Sequence, residues 1–223
     1  MPECPVPERN RRSKAEQRAE SLEQILDAAE YLFSQNGFYG VTFRDVAHRV
    51  GIHTTLLHYY FKDKHHLFEA VFKRRASVTC DLRMAALGEY EAEAGDHPTV
   101  EGALRAFLDT DFDLYIKGGE PWVNYAAFCA RVSHSQEGAA MMAANFDPVV
   151  LKLVSILKRA LPDYSDEDVF WGYDFVTGAL MHTLARTGRI DRLSGGVCRS
   201  DDIGAVKKRL AKFMAAGFLA LKE

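Results

Sequence analysis

The sequence has few cysteines and no pattern typical of β-strands. Its four cysteines, at positions 4, 80, 129 and 198, show no paired spacing. This excludes a disulfide framework and fits reduced thiols in a cytoplasm. We find no apolar run long enough for a signal peptide or a membrane span, so we expect a cytoplasmic protein without a membrane partner. Without strand alternation or internal repeats, the pattern predicts an all-α fold of about nine helices.

Motifs for catalysis are also missing. We find no glycine-rich phosphate loop, nucleophile elbow or zinc-ligand pair of specific spacing, so we predict no enzyme, no cofactor and no metal site. Asp45 with His48, and Asp63 with His66, have the i, i+3 spacing that can hold a metal ion. Helix capping by the aspartates is the preferred interpretation. An opportunistic zinc site led by His65 and His66 is the alternative.

The charge is small but unevenly distributed. The whole chain carries a net charge of -3, whereas residues 1–75 have 12 Lys and Arg against 10 Asp and Glu, and the remainder carries -5. Only a surface that touches nucleic acid needs to be basic, so this balance does not exclude DNA binding. The first twenty residues hold three prolines and five basic residues. They predict a flexible arm that either contacts DNA or is a solvated tail.

Residues 42–61 have the pattern of a helix-turn-helix. Thr42 and Asp45 form a capping-box start, and Gly51 supplies a left-handed stop. Between them, apolar residues fall at the spacing of one buried helix face: Phe43, Val46, Ala47 and Val50. After the turn, a second short helix places Leu57, Tyr60 and Phe61 on one side. Its other side carries hydrogen-bonding residues suited to a major groove: Thr54, Thr55, His58 and Tyr59.

A further helix precedes this unit and ends at Gly37. Together they show the order of parts in the TetR family of transcriptional regulators, which the chain resembles over about a quarter of its length. The residues that carry the resemblance are Ala28, Ala29, Leu32, Phe33, Gly37, Phe38, Thr42, Gly51, Leu57, Tyr59, Tyr60, Phe61 and Lys64.

The resemblance implies a set of DNA-binding residues. It places Arg44 at a base or phosphate, and Tyr60 and Lys64 at the phosphate backbone. From the recognition helix it implies Thr54, Thr55, His58 and Tyr59. The chain departs from the usual family pattern at His53, Thr55 and His58, so the resemblance does not carry over an operator sequence.

The pattern also gives a domain organisation. We expect a flexible basic arm at 1–17, a three-helix DNA-binding domain with the helix-turn-helix at 18–66, and a larger helical ligand-binding and dimerisation domain at 67–223. Helices are predicted near 67–90, 99–118, 121–136, 147–161, 165–188 and 201–221.

The last two predicted helices are the candidates for a homodimer interface. The first has two apolar stripes and therefore needs two packing partners. One stripe holds Val169, Tyr173, Val176, Leu180 and Leu184, and the other includes Phe170 and Met181. The last helix has apolar residues at three-four spacing. Gly178 in the first of these two helices and Gly217 in the last allow close approach. Burial of both stripes within one subunit is the alternative.

A ligand site is predicted in the aromatic-rich larger domain. Our candidates are Trp122, Tyr125, Phe128 and Cys129, which follow a helix breaker and share a predicted helix face, together with Phe175. Such a pocket favours a bulky apolar or aromatic effector over a highly charged one. Aromatic residues at helical spacing are also typical of a plain core, and that alternative stays open.

These patterns predict a ligand-responsive, cytoplasmic, homodimeric transcriptional regulator. We expect a repressor that binds a palindromic double-stranded DNA operator and is released by a small effector. The alternative is a helical small-molecule-binding or metal-dependent enzyme with a non-functional helix-turn-helix.

Overall fold

The computed structural model describes residues 13–222, apart from the side chains of Gln136 and Glu137. Within this range the chain forms eleven helices and no strand. The helices are α1 Lys14–Asn36, α2 Phe43–Val50, α3 Thr54–Tyr60, α4 Lys64–Ala94, α5 Val100–Lys117, α6 Glu120–Val132, α7 Gln136–Ala160, α8 Asp166–Leu184, α9 Arg189–Leu193, α10 Ile203–Lys207 and α11 Leu210–Leu219. The all-α prediction is confirmed.

Helix α1 begins earlier than the sequence predicted. Ser13 accepts a hydrogen bond from the Glu16 backbone N–H, and the Glu16 carboxylate accepts one from the Ser13 N–H. This capping box starts the helix at Lys14. Residues 14–17 are therefore helical and do not belong to a flexible arm, and the rest of the predicted arm lies outside the described residues.

Helix α7 also differs from the prediction. We expected a helix opening at Asp147 and Pro148, but α7 runs from Gln136, and Pro148 lies inside it. The segment Gly138–Ala160 is long and apolar enough, by length and composition alone, to cross a membrane, contrary to our expectation that no such run exists. Its buried residues pack into the core against α4, α5 and α8: Val149, Leu153, Ile156 and Leu157.

The C-terminal segment is more broken than its sequence pattern suggested. A turn at Lys208 and Arg209 divides the predicted last helix into α10 and α11. Within the chain, α11 packs on α8 where Gly172 leaves room for the Phe218 ring. A Cβ at position 172 would lie 2.3 Å from that ring, so a larger residue would separate the two helices.

One hydrophobic core joins the helix-turn-helix unit to the larger domain. At the junction, the Phe128 ring of α6 lies 6.1 Å from Phe33 of α1, and 4.9 and 5.9 Å from Phe68 and Phe72 of α4. Close-packed aromatic rings resist independent displacement. Helix α6 is therefore a second connection between the two parts of the molecule, alongside the long helix α4.

Candidate DNA-binding surface and ligand cavity

The start of α2 is fixed by the predicted capping box. Asp45 Oδ2 accepts hydrogen bonds from the Thr42 N–H at 2.8 Å and from its hydroxyl at 2.6 Å, and the Asp45 N–H donates to Thr42 Oγ1. These bonds lower the pKa of Asp45 below its ordinary value. Arg44 lies exposed in the same first turn. At the other end, Gly51 adopts a left-handed conformation with φ 75° and ψ 33°.

Helix α3 presents a polar outer face over an apolar anchor. Leu57 and Phe61 are buried. Thr55, His58 and Tyr59 are exposed, and Thr54 is half-buried. The outward direction of these side chains is the geometry that a recognition helix needs to reach base edges.

His53 and His58 take roles that their sequence positions did not reveal. His53 is the N-cap residue of α3 but makes no side-chain cap bond. Its Nδ1 lies 3.2 Å from the Thr55 hydroxyl instead. The His58 ring lies 4.9 Å from the Phe43 ring of α2. Contacts within the protein therefore orient both Thr55 and His58.

Tyr60 and Lys64 make bonds inside the domain. The Tyr60 hydroxyl donates to the backbone carbonyl of Arg18 at 3.2 Å, and Lys64 Nζ donates to the carbonyl of Phe38 at 2.9 Å. Both side chains are half-buried. These bonds tie the ends of α3 and α4 to α1 and to the turn after it. The Arg18 guanidinium lies 5.1 Å from the Tyr59 ring, which places a cation of α1 beside the recognition helix.

The aspartates of the two Asp–His pairs have capping roles. Asp63 Oδ1 accepts from the His66 backbone N–H at 2.9 Å, and this bond lowers the pKa of Asp63. Asp45 caps α2 as described above. The ring of His65 lies 4.5 Å from the ring of Phe38. No cluster of three or more potential metal ligands occurs among the residues that the structure describes.

In the larger domain, three of the predicted ligand-site residues meet at one internal cavity. Trp122, Tyr125 and Cys129 lie on one side of α6 and line a space of about 30 Å³, close to the size of a single water molecule. Aromatic and thioether side chains from other helices close it: Tyr115, Met142, Phe146 and Met181.

A buried ion pair that we did not predict forms part of the cavity wall. Arg83 of α4 makes a short hydrogen-bonded contact with Asp111 of α5 through Nη2, and its Nε donates to the Phe107 carbonyl at 3.3 Å. The Arg83 guanidinium stacks 3.8 Å from the Phe107 ring. Burial raises the pKa of Asp111 although Arg83 opposes this effect. The signal in the sequence was a charged residue at helical spacing between positions that are buried: Arg83 lies four residues after Thr79 and four before Leu87.

The polar groups of α6 at this cavity are uncharged. The Tyr125 side chain is 5% exposed, and its hydroxyl interacts with the Cys129 thiol but has no oxygen or nitrogen partner among the described residues. Burial raises the pKa of Tyr125, and it raises the pKa of the Cys129 thiol to about 12. Cys129 therefore remains a thiol at neutral pH and does not act as a thiolate nucleophile.

Phe128 and Phe175 do not line this cavity. Phe128 points to the domain junction and borders a separate, open cleft of about 1090 Å³ between α1, α4, α6 and α7. Phe175 is 52% exposed and stacks on Trp171 at a centroid distance of 6.1 Å. It lies on the opposite side of α8 from the buried stripe that contains Val176. Met181 shares a side of α8 with Phe170, as its spacing predicts, but it is buried at the cavity, whereas Phe170 is 45% exposed.

An ion-pair network connects the cavity region to the DNA-binding unit. The Glu30 carboxylate of α1 is buried and accepts hydrogen bonds from Arg74 and Arg75 of α4, both at 3.0 Å. Arg74 also pairs with Glu23 and Asp27. The Arg75 guanidinium lies 5.3 Å from the Trp122 ring, on the helix that lines the cavity. Trp122 thus contacts both the cavity and the residue that holds α4 against α1.

Comparisons with known proteins agree with this architecture. Residues 25–71 match the model described as bacterial regulatory proteins, tetR family, and residues 105–217 match the tetracyclin repressor-like C-terminal domain. The HTH-type transcriptional regulator BetI of Escherichia coli is 25% identical over 166 residues, which cover 74% of this chain and 83% of BetI.

Solved structures show the same fold at lower identity. FadR of Bacillus subtilis, in complex with stearoyl-CoA, has a TM-score of 0.59 at 16% identity and covers 87% of this chain and 98% of its own. A TetR-like regulator from Rhodococcus sp. RHA1 has a TM-score of 0.59 at 20% identity, covering 89% and 97%. The two family models together span most of the described residues, and the chain belongs to the TetR family of bacterial transcriptional regulators.

Proposed function

We propose that the protein is a cytoplasmic repressor that binds a palindromic operator as a homodimer and is released by a small apolar or aromatic effector. The observation that carries the DNA-binding role is helix α3, which turns Thr55, His58 and Tyr59 outward while Leu57 and Phe61 anchor it from behind. With Arg44 and Thr54 beside them, these residues supply donors and acceptors of the size that major-groove edges require. Tyr60 and Lys64 stay in the proposed surface as phosphate contacts at its margin.

Dimerisation is proposed through α8 and α11. Their outer surface, which we call the α8–α11 face, is apolar and contains Gly178 and Gly217. A Cβ atom added at either glycine would have no neighbouring heavy atom within 4 Å. The members of this face are Phe170, Trp171, Phe175, Gly178, Phe213 and Gly217. An exposed apolar surface of this kind, with positions open to close approach, suits a second copy of the same pair of helices.

The proposed release mechanism uses the contacts between the cavity and α1. An effector that separates the walls of the cavity displaces Trp122, and with it the Arg75 side chain that pairs with Glu30. Because α4 continues from the DNA-binding unit into the core, a tilt of α4 changes the distance between the two recognition helices of a dimer. The effector needs only to bind the mismatched conformation more tightly. FadR of Bacillus subtilis, which shares this fold, is solved with stearoyl-CoA, a ligand that contains a long apolar acyl chain.

Selection of bound sequences from a random duplex pool tests the DNA-binding proposal. The expected product is a palindrome with half-sites separated by about one helical turn, ~34 Å, or a multiple. On that duplex, the logarithm of the affinity should fall linearly with the logarithm of the salt concentration. Recovery of no enriched sequence, together with retention that does not depend on salt, would contradict the proposal.

A further inference from the structure

The Tyr125 hydroxyl is a buried hydrogen-bond donor whose polar neighbour is the Cys129 thiol, a weak acceptor. Tyr125 lines the internal cavity and is almost fully buried, and its hydroxyl has no oxygen or nitrogen acceptor among the described residues. A buried polar group without a partner is costly, and such groups in native proteins usually meet water or a ligand. The cavity that Tyr125 lines has a volume of about 30 Å³, close to that of one water molecule.

Charge at the cavity is already balanced. Arg83 and Asp111 pair directly with each other, and Cys129 is an uncharged thiol. A ligand carboxylate would meet Asp111 as a like charge, and a ligand cation would meet Arg83. Burying a third, unpaired charge next to a neutral pair is strongly unfavourable. An uncharged ligand avoids this cost.

The walls of the cavity are mainly aromatic and adaptable. Tyr115, Trp122 and Phe146 offer ring surfaces for stacking, and Met142 and Met181 complete the lining. Methionine side chains change rotamer at low cost and fit irregular ligand shapes. The lining side chains close on one another in the present conformation, and we expect rotation of the two methionines to enlarge the cavity.

We propose that the effector is an uncharged, largely aromatic molecule with an oxygen acceptor that receives the hydrogen bond of the Tyr125 hydroxyl. Tyr125 is then the residue that determines specificity, by distinguishing a carbonyl compound from its hydrocarbon analogue. This inference rests on the proposed function, because it assigns the effector's chemistry to the same regulatory cavity.

Matched pairs of probes test it directly. Acetophenone is compared with ethylbenzene, and benzophenone with diphenylmethane, since each pair differs mainly by the carbonyl oxygen; benzoate supplies the anionic comparison. Binding is followed by the emission of Trp122 in the full-length Trp171→Phe chain, where Trp122 is the single remaining tryptophan. We expect at least one ketone to bind about tenfold more tightly than its hydrocarbon partner, and benzoate to bind more weakly than acetophenone.

Two Tyr→Phe variants make the test specific. Tyr125→Phe should lose the preference for the ketone and keep the affinity for the hydrocarbon. Tyr164→Phe is the matched control, because its hydroxyl donates to the Leu219 carbonyl outside the cavity, and it should keep the preference. Equal binding within both pairs, tighter binding of benzoate, absence of binding by every probe, or a preference that survives Tyr125→Phe would overturn the inference. The comparison within the unsubstituted Tyr125 chain decides the question even if Tyr125→Phe folds poorly.

Operator binding separates this inference from the proposed function. Affinity for the selected duplex is measured without and with the bound ketone, which should weaken it. A chain that binds its operator but fails the probe test refutes the effector chemistry alone. A chain that passes the probe test but binds no duplex refutes the proposed function, and with it the role of the ketone site in regulation.

Discussion

At the scale of single residues, the DNA-binding surface combines exposed side chains with half-buried side chains that are bonded to the backbone of other elements. Thr55 and Tyr59 project from α3. In contrast, Tyr60 donates a hydrogen bond to the carbonyl of Arg18, and Lys64 donates one to the carbonyl of Phe38. A side chain that holds the domain together has less freedom to follow a base edge. The outer residues of α3 are therefore the better candidates for sequence discrimination.

Substitutions of Arg44 and Thr55 should have different signatures. If Arg44 contacts a phosphate, Arg44→Ala weakens binding to all duplexes and reduces the salt slope by about one unit. Thr55→Ala should leave the slope unchanged and alter which base pairs are preferred. Both effects are measured by titration of the selected operator and its single-base variants at several salt concentrations. Arg105→Ala, which removes a half-buried arginine paired with Glu101 on α5, is the control and should change neither.

The Thr42 cap is expected to contribute to both stability and DNA affinity. Thr42→Ala should lower the free energy of unfolding by about 1 kcal/mol and weaken operator binding, because α2 supports α3. Urea denaturation at fixed protein concentration measures the first effect. Ser13→Ala removes an equivalent cap at the start of α1 and should lower stability without an equal loss of DNA affinity. Equal losses of affinity in both variants would contradict a special role for Thr42.

The same cap has a pH dependence of defined sign. Because hydrogen bonds from Thr42 lower the pKa of Asp45 in the folded state, ionised Asp45 stabilises the fold above its unfolded pKa, near 3.8. This contribution is lost as the pH falls through the folded pKa. The pKa of Asp45, measured by nuclear magnetic resonance, should rise toward its ordinary value in Thr42→Ala. A pKa that does not change would mean that other groups set it.

At the scale of helices, α8 is apolar on two sides with different roles. Its inner side contributes Val176 and Met181 to the core, and its outer side exposes Trp171 and Phe175. Helix α11 exposes Phe213 next to it, with the side chain 74% exposed. Such a surface on two adjacent helices indicates a packing partner rather than a solvated exterior.

A charge in the α8–α11 face should disrupt the proposed dimer. Trp171→Asp is expected to convert the protein to a monomer, because a carboxylate buried in an apolar interface loses its hydration. Light scattering after size-exclusion chromatography measures the mass. Leu151→Asp introduces the same charge at an exposed leucine of α7 and should leave the mass unchanged. Dissociation in the control variant alone would place the interface elsewhere.

At the scale of the whole molecule, the regulatory domain and the DNA-binding unit are joined by α4 and α6 together. Glu30 holds α1 to α4 through two arginines, and the Phe128 ring packs between α1 and α4. Movement of α6 therefore reaches α1 directly as well as through α4. Through these contacts, we expect a displacement of α6 at the cavity to change the orientation of the recognition helix.

Neutralising Glu30 should weaken this connection. Glu30→Gln leaves Arg74 and Arg75 half-buried without their shared carboxylate, and we expect the free energy of unfolding to fall by about 3 kcal/mol. Glu23→Gln removes a carboxylate that is 62% exposed from the same Arg74, and the loss should be below about 0.5 kcal/mol. Thermal unfolding of both variants at one protein concentration makes the comparison. Equal shifts would show that burial of Glu30 does not matter.

The sequence was informative where local rules act. The capping pair Thr42 and Asp45, the glycine at position 51 and the apolar spacing around Leu57 gave the helix-turn-helix, because each depends on residues within one or two helical turns. The start of α7 was predicted at Asp147 and Pro148, because proline is common in the first turn of a helix. The residues before Pro148 form a helix that packs across the core, and packing outweighs a local preference.

The sequence by itself determined the helical class, the helix-turn-helix and its buried and exposed faces, since periodicity and capping are short-range properties of the chain. Only the tertiary structure decided which apolar side chains meet across helices. It separated Phe128 and Phe175 from the cavity that Trp122, Tyr125 and Cys129 share, and it brought Arg83 to Asp111. The physical reason is that the relative rotation and crossing of helices depend on the packing of the whole core, which no single stretch of sequence encodes.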